Sequence, residues 1–265
     1  MESRVIGIVG GLGPHAHVEL ERLVLAAAAE RAAGPLRDQD YPSWLLTSIA
    51  ATPDRSAALD GSGESPLPAL AHALTWLAGA PGLPGADFAV MACMTAHRWL
   101  PELRAESPIP LLDAIDEALR AATSRSRPGA RIGVLATSGA LPLFAASERA
   151  LPEGRRTLSL LDLERGERLQ EELVMTPIFG AAAADGRRAG GLKAHRLDEA
   201  RPPLERAVAR LGEAGAELVI TACSELPLAL GREPVAGVAL LDPMQIVAEA
   251  CVAIAAKERP LPSSA

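Results

Sequence analysis

The chain has 265 residues, of which 49% are hydrophobic, 22% charged and only 3% aromatic, and its formal net charge is −7. This composition is typical of a globular protein with one large or two medium domains. The negative charge argues against a nucleic-acid partner, and no apolar run predicts a membrane span. Three cysteines give no disulfide framework, and the N-terminus does not read as a signal peptide, so we expect a cytoplasmic protein.

The apolar pattern predicts strands alternating with helices along the whole chain. The expected strands are 5–10, 41–49, 108–113, 131–137, 158–163, 238–242 and the apolar runs that precede Cys93 and Cys223. The expected helices are 15–30, 66–78, 97–105, 114–123, 141–150, 167–179 with an alanine-rich continuation to 184, 201–214, 226–230 and 243–257. Segments 51–56 and 60–65 are expected to be loops.

A glycine-rich turn, Gly10 to Pro14, follows the first strand. Gly11 and Gly13 are candidate ligand-binding residues, because glycines permit close backbone approach and the next helix offers its N–H groups to an anion. Dinucleotide binding is the alternative. The spacing is not Gly-x-Gly-x-x-Gly, and no acidic residue closes a second strand at the usual interval, so we do not favour it.

Arg55 lies in the loop that follows the second strand. Its planar guanidinium could clamp a carboxylate. A solvated loop arginine is the ordinary alternative, and the position at a strand end leaves both interpretations open.

Two cysteine segments, 86–97 and 216–227, are near copies of each other. Each has an acidic residue, a short apolar run typical of a strand buried on both faces, and then Ala-Cys. Cys93 and Cys223 therefore fall at the strand ends, where open α/β sheets bind ligands. A following helix favours the thiolate there.

Three landmarks recur in the same order in both halves. They are Ile-Gly-Ile/Val, Ala-Cys, and Leu-Leu-Asp before a helix. We therefore predict an α/β protein of two similar doubly wound parallel-sheet domains, 1–122 plus 238–265 and 123–237, with the active site in the cleft between them.

Two thiols that meet from opposite sides suit inversion of a carbon centre. One thiolate removes a proton from one face of the carbon, and the other thiol returns a proton to the opposite face. Two structural cysteines at the sheet edges are the alternative interpretation. Cys251 lies among apolar residues of the last expected helix, so we expect it to be a core residue.

With these motifs in place, the sequence resembles the PLP-independent aspartate/glutamate racemase family. The shared segments are 7–14, 38–42, 52–56, 93–97, 133–137, 223–225 and 241–243. The resemblance implies two doubly wound domains, a small amino-acid or carboxylate substrate, no cofactor and a homodimer. It also implies that Arg55 holds a substrate carboxylate. The residues after each cysteine, with Thr137 as a further candidate, would contact the amino acid; they are Met94, Thr95, Ser224 and Glu225.

Several positions depart from the family pattern. Met94 replaces the usual Asn, His17 replaces a Thr, and Ala140 replaces another Thr. An alanine run, 181–184, stands where a basic residue is common. A site for two carboxylates needs other partners in their place, so the substrate stays open. His15, His17 and His97 are candidates for such contacts.

The sequence therefore predicts a cofactor-independent amino-acid racemase or epimerase in which Cys93 and Cys223 exchange the proton. A decarboxylase or cis–trans isomerase of the same fold, with one nucleophilic cysteine, is an alternative, and a non-catalytic ligand-binding protein is another. The Cys and His spacings do not predict a metal site. PLP chemistry is not predicted, because neither Lys193 nor Lys257 lies at an expected site.

Overall fold

The computed structural model describes residues 3–79, 82, 84–147, 151–183 and 188–263. It is an α/β structure with a three-stranded and a four-stranded parallel sheet, each accompanied by helices, which confirms the predicted fold class. The chain divides into two compact units, Met1–Glu117 with Met244–Ala265, and Ala118–Pro243. No helix of the described part is long and apolar enough to cross a membrane.

The first unit is built on a sheet of strand order β2-β1-β3, comprising β1 (Ile6–Gly10), β2 (Trp44–Ser48) and β3 (Phe88–Met91). β1 and β3 are buried along their whole length, as expected for parallel strands covered on both faces. The helices are α1 (Pro14–Arg31), α2 (Arg55–Asp60), α3 (Leu67–Leu77), α4 (Leu100–Glu106) and most of α11 (Pro243–Ala255); α5 (Ala114–Ser124) crosses the unit boundary.

The second unit contains a parallel sheet of order β5-β4-β6-β7, with β4 (Arg131–Leu135), β5 (Arg156–Leu158), β6 (Ala216–Thr221) and β7 (Ala239–Leu241). Its helices are α6 (Leu141–Ser147), α7 (Gly166–Gln170), α8 (Thr176–Phe179), α9 (Leu197–Glu213) and α10 (Leu226–Leu230). A π-helical turn, Glu171–Met175, joins α7 to α8, and a 3-10 turn, Gly191–Ala194, precedes α9.

Two expected strands are wrong in extent. Segment 108–113 forms a single bridge between Leu111 and Ala89, because Pro108 and Pro110 cannot donate to a strand ladder. In segment 158–163 only Leu158 is in a strand. The residues after it turn into a 3-10 helix, Leu160–Asp162, whose start is capped reciprocally by Ser159 and Asp162.

Three expectations about helices and loops are also corrected. The expected loop at 51–56 already contains the start of α2, capped by Asp54, whose carboxylate accepts the Ala57 N–H at 2.8 Å. The helix expected from 97 begins as a 3-10 turn, Thr95–Trp99. The helix expected to reach 184 ends at Gly180 (φ 84°); residue 184 and residues 148–150, the expected end of α6, lie outside the described residues.

A partly buried ion pair ties α5 to the segment after α11 in the first unit. Both oxygens of Glu117 accept from Arg259, at 2.8 and 3.0 Å, and this pairing raises the pKa of the arginine. Cys251 lies fully buried on α11, and burial raises the pKa of its thiol. The packing around this cysteine is that of a core residue.

We expect Arg259→Met to lower the free energy of unfolding of the first unit by about 2 kcal/mol, because it removes the guanidinium that bonds both oxygens of the buried Glu117 carboxylate, an effect moderated by the partial exposure of Arg259. Urea unfolding followed by tryptophan fluorescence measures this, since Trp44, Trp76 and Trp99 all lie in this unit. Arg98→Met, which breaks an exposed pair with Glu102 in the same unit, is the matched control and should cost under about 0.5 kcal/mol. Equal losses in both variants would contradict the expectation.

Candidate active-site residues

The parallel register brings three of the predicted site segments to one edge of the first sheet. β1 pairs with β2 up to Gly10 and Ser48, and with β3 up to Val9 and Met91, so all three strands end at the same edge. The glycine turn, Arg55 and Cys93 follow these strand ends. A direct bond joins two of them, since Arg55 Nη2 donates to the Leu12 carbonyl at 2.6 Å.

The glycine turn is a close approach of backbone to backbone. Gly11 has a φ of +76°, and a Cβ there would lie 2.4 Å from the Ile49 nitrogen, so only glycine fits. Gly13 is the N-cap residue of α1. The buried ring of His17 accepts the Gly11 N–H through Nδ1 at 3.3 Å. His17 therefore fixes the turn through the ring nitrogen that faces it.

Arg55 is held by backbone carbonyls. Besides Leu12, its guanidinium donates to the carbonyls of Pro53 at 3.1 Å and Thr52 at 3.4 Å. Its Nε is buried and has no hydrogen-bond partner in the described part of the chain. The cation is thus fixed in orientation at the sheet edge, and its buried Nε–H remains an unused donor.

Cys93 lies two residues after β3 and is 8% exposed. His97 holds this segment: its Nε2 accepts the Ala114 N–H at 3.1 Å, so we assign the proton to Nδ1, which lies 3.0 Å from the Cys93 carbonyl and donates to it. Burial is the main reason that the pKa of His97 is lowered. Both ring nitrogens are used inside the protein. His97 therefore orders the Cys93 segment rather than offering a free nitrogen to a ligand.

Met94 and Thr95, the other predicted contacts of this unit, are buried beside Cys93, at 2% and 8% exposure. The Met94 carbonyl accepts the His97 N–H at 3.0 Å, which opens the 3-10 turn. Within the residues that the structure describes, the Cys93 thiol makes no hydrogen bond.

The second unit repeats this arrangement. β4 and β6 run in register to Leu135 and Thr221, so Thr137 and Cys223 follow strand ends at the same edge. Thr137 is buried, and its carbonyl accepts the N–H groups of Ala140 and Leu141 as α6 begins. Cys223 lies two residues after β6, as Cys93 does after β3, and β6 and β3 both pair with the first strand of their unit.

Around Cys223 the structure places a compact charged group. The thiol donates to Glu225 Oε2 at 3.1 Å, and the Ser224 hydroxyl donates to the same oxygen at 3.1 Å. Glu225 Oε1 accepts a charged hydrogen bond from the ammonium of Lys193. The ammonium also lies 5.9 Å from the centre of the Phe179 ring, within the range of a cation–π contact.

This group sets the protonation of the cysteine. Burial raises the pKa of the Cys223 thiol well above its ordinary value; the Glu225 charge raises it further, and the Lys193 charge opposes both. Burial alone would raise the pKa of the Glu225 carboxyl. The Lys193 charge and the hydrogen bonds from Lys193, Cys223 and Ser224 outweigh that effect, so the pKa is lowered and Glu225 is a carboxylate at neutral pH.

Sequence reasoning missed Lys193, and its premise that neither lysine lies at an expected site is wrong. Lys193 is thirty-two residues from Glu225 along the chain, so no local spacing indicates the pair.

The π-helical turn was also missed. It carries Met175, whose sulfur accepts the Ser138 N–H at 3.4 Å beside the end of β4. Such turns are frequent at functional sites.

The described residues contain no cluster of three or more His, Cys, Asp or Glu side chains that could hold a metal ion. In the first unit the structure brings the segments of Gly11, Gly13, Arg55 and Cys93 to one sheet edge, with Met94, Thr95, His17 and His97 beside them. In the second unit it groups Cys223, Ser224 and Glu225, and places Thr137 at the same edge.

Each of the two α/β units thus carries a buried thiol at the carboxyl edge of its parallel sheet. The family model described as Asp/Glu/hydantoin racemase matches residues 9–251. The chain belongs to this family, which confirms the resemblance drawn from its motifs.

Solved structures share the fold at low sequence identity. An aspartate racemase from Picrophilus torridus has a TM-score of 0.74 at 20% identity, covering 96% of this chain and 94% of its own. A glutamate racemase isoform from Bacillus anthracis has a TM-score of 0.59 at 15% identity, covering 100% and 86%. An allantoin racemase from Pseudomonas fluorescens has a TM-score of 0.51 at 13% identity, covering 98% and 93%.

Proposed function

We propose that the protein is a cofactor-independent racemase or epimerase that inverts a carbon bearing an acidic proton, with Cys93 and Cys223 as the two proton-transfer residues. The observation that carries the proposal is the equivalence of the two thiols. Each lies two residues after the strand that pairs with the first strand of its unit, at the ligand-binding edge of a parallel sheet. Both cysteines are free.

The chemistry needs one thiolate and one thiol. The thiolate takes the α-proton, the electron pair is delocalised into the adjacent carbonyl or carboxylate group, and the thiol delivers its proton to the opposite face. Arg55 supplies a fixed positive charge for that carboxylate or carbonyl, which stabilises the negative charge as it develops. The Gly11 N–H is taken by His17, but the turn to Gly13 opens α1, whose first N–H groups can bind the same end of the substrate.

The family description and the fold neighbours include amino-acid, hydantoin and allantoin substrates. Met94 and His17, which replace the usual Asn and Thr, support a substrate other than aspartate or glutamate. We therefore propose a carboxylate or ureide whose side chain needs fewer polar partners.

The direct test is proton NMR of the purified protein in deuterated water with no added cofactor. The substrate panel contains L- and D-amino acids with acidic, apolar and basic side chains, 5-substituted hydantoins and allantoin. Loss of the α-proton signal together with inversion, read by chiral chromatography, supports the proposal. Addition of PLP should not change the rate. Absence of exchange from every compound would oppose it.

Arg55→Lys is expected to lower kcat/KM at least tenfold, through a higher KM and a lower kcat, because an ammonium cannot reproduce the fork that bonds the Leu12 and Pro53 carbonyls and still face a carboxylate. Steady-state racemisation of the substrate found in the NMR panel measures it. Arg98→Lys, at an exposed pair with Glu102, is the control. An unchanged kcat/KM would remove Arg55 from the substrate site.

We also propose a homodimer that acts in the reducing cytoplasm, where its free thiols persist. β2 is an edge strand with Leu45 and Leu46 exposed, and Val18 on α1 is 60% exposed. Natural proteins seldom leave such an edge bare. Light scattering during size-exclusion chromatography gives the mass; a monomer near 27.5 kDa would contradict the dimer.

A further inference from the structure

We propose that Lys193 and Glu225 act together as positioning residues that keep Cys223 protonated in the resting enzyme, which makes Cys223 the proton donor and Cys93 the base of the first half-reaction. This inference rests on the proposed function and deepens it. Glu225 then works through Cys223 rather than by touching the substrate.

The hydrogen bonds of Glu225 are the first argument. Its side chain is 2% exposed, Oε1 accepts from Lys193, and Oε2 accepts from both the Cys223 thiol and the Ser224 hydroxyl. Both oxygens are thus occupied by partners within the unit. An ammonium or hydroxyl of a substrate would have to displace one of them, so this carboxylate serves an internal function.

The direction of the thiol bond is the second argument. A carboxylate can only accept a hydrogen bond, so the Cys223 sulfur must carry the proton that it shares with Oε2. Loss of that proton would place a thiolate 3.1 Å from a carboxylate. The two negative charges repel, and the protonated form is therefore the resting one.

The position of Lys193 is the third argument. It lies on the 3-10 turn Gly191–Ala194, which packs tightly on the end of α8: Gly191 has a φ of +55°, and a Cβ there would lie 2.3 Å from the Pro177 carbonyl oxygen. Phe179 of the same helix supplies the ring face near the ammonium. The turn holds the cation where it keeps Glu225 ionised and where it partly offsets the thiolate that forms during turnover.

The proton count balances. The Cys93 thiolate takes the α-proton and becomes a thiol, while the Cys223 thiol protonates the opposite face and becomes a thiolate. After product release, Cys93 loses a proton to water and Cys223 regains one from water. Repulsion between the Cys223 thiolate and the Glu225 carboxylate favours reprotonation of Cys223. The Lys193 charge stabilises these two negative groups until the proton returns.

The experiment measures the reactivity of the thiols themselves. The full-length protein is alkylated with iodoacetamide between pH 6 and pH 10, and mass spectrometry reports the modification rate of the Cys93 and Cys223 peptides separately. In the wild type at neutral pH, Cys93 should react faster than Cys223. Glu225→Gln should move the Cys223 profile about one pH unit lower, which is roughly a tenfold faster reaction at neutral pH.

Lys193→Met should move the Cys223 profile in the opposite direction, about one pH unit higher, because the cation is lost and Glu225 is still a carboxylate at the alkaline pH where this thiol titrates. Phe179→Leu keeps both charges and loosens the ammonium, so it should cause a smaller shift of the same sign as Lys193→Met and guards against a variant that fails to fold. Lys257→Met and Glu233→Gln remove exposed charges as matched controls and should shift nothing.

Shifts of the same sign in Glu225→Gln and Lys193→Met, or no shift beyond the controls, would overturn the inference. The proposed function is judged separately by α-proton exchange in the wild type. Opposite shifts of the Cys223 profile in the two variants, without any α-proton exchange, would contradict the racemase proposal. The effect of Lys193 and Glu225 on the Cys223 thiol would still stand. Exchange without shifts would make the Lys193–Glu225 pair purely structural.

Discussion

Replacing either Cys93 or Cys223 with alanine is expected to lower the rate of inversion by at least about a hundredfold, because each variant loses one of the two proton-transfer residues. The loss is larger than that expected from any other substitution in the chain. Chiral chromatography of the reaction mixture measures inversion, and proton NMR in deuterated water measures exchange in the same samples.

The two readouts separate the reaction types that share this fold. A variant that keeps one cysteine should exchange the α-proton of one enantiomer without inverting it, and the two variants should prefer opposite enantiomers. Exchange by Cys93→Ala should be the slower of the two at neutral pH, because Cys223 must first lose its proton. Cys251→Ala, a change to a buried core cysteine, is the control and should keep full inversion. Loss of activity with only one of the two site cysteines would favour a single nucleophile, as in a decarboxylase or cis–trans isomerase. Ligand binding that survives both changes, without turnover, would favour a binding protein.

Lys193→Met is expected to lower the free energy of unfolding by about 3 kcal/mol at pH 8, because it leaves a buried carboxylate unpaired. The pH dependence has a defined sign. In the wild type the lowered pKa of Glu225 gives stability that is present above the unfolded pKa of a glutamate and is lost as the pH falls. In the variant, burial without the cation raises that pKa, so the protein loses stability as the pH rises.

The difference between the two proteins should therefore be small near pH 4 and grow toward pH 8. Far-UV circular dichroism during urea unfolding is the measurement of choice, because all three tryptophans lie in the other unit. Tryptophan fluorescence of the same samples then reports the unfolding of the other unit separately. Lys257→Met is the matched variant, with an exposed lysine. A loss of stability that is constant from pH 4 to pH 8 would show that the ion pair is not its cause.

The strands were predictable from sequence where burial on both faces makes the pattern unambiguous. β1, β3, β4 and β6 are short apolar runs bounded by turns, and the structure has a strand in each place. Segment 108–113 has the same apolar character, but two prolines remove the donors that a ladder needs. The sequence pattern alone does not show whether the apolar character or the missing proline donors will decide the structure of this segment.

The candidate site was predictable only where it follows the strand ends. Arg55 and the two cysteines were found because chain order determines which loops reach the carboxyl edge of a parallel sheet. Lys193 was not, because a separate turn before α9 delivers it to Glu225. For the histidines, the sequence predicted a role in the site that their hydrogen bonds do not support. Their residue type suggested ligand contacts, whereas the bonds of His17 and His97 lie within the backbone framework.

The first unit is discontinuous, and this has a consequence for synthesis on the ribosome. Arg4 donates its backbone N–H to the Ala255 carbonyl and its side chain to the Ile254 carbonyl, and Glu117 pairs with Arg259. The segment that leads into β1 thus completes its contacts only after α11 emerges. At ordinary elongation rates the intervening unit, Ala118–Pro243, delays that moment by on the order of ten seconds. The continuous second unit can finish folding in that interval. The apolar strands β1 and β3 stay partly uncovered until α11 packs on the first unit. The nascent first unit is therefore the part that a chaperone would bind.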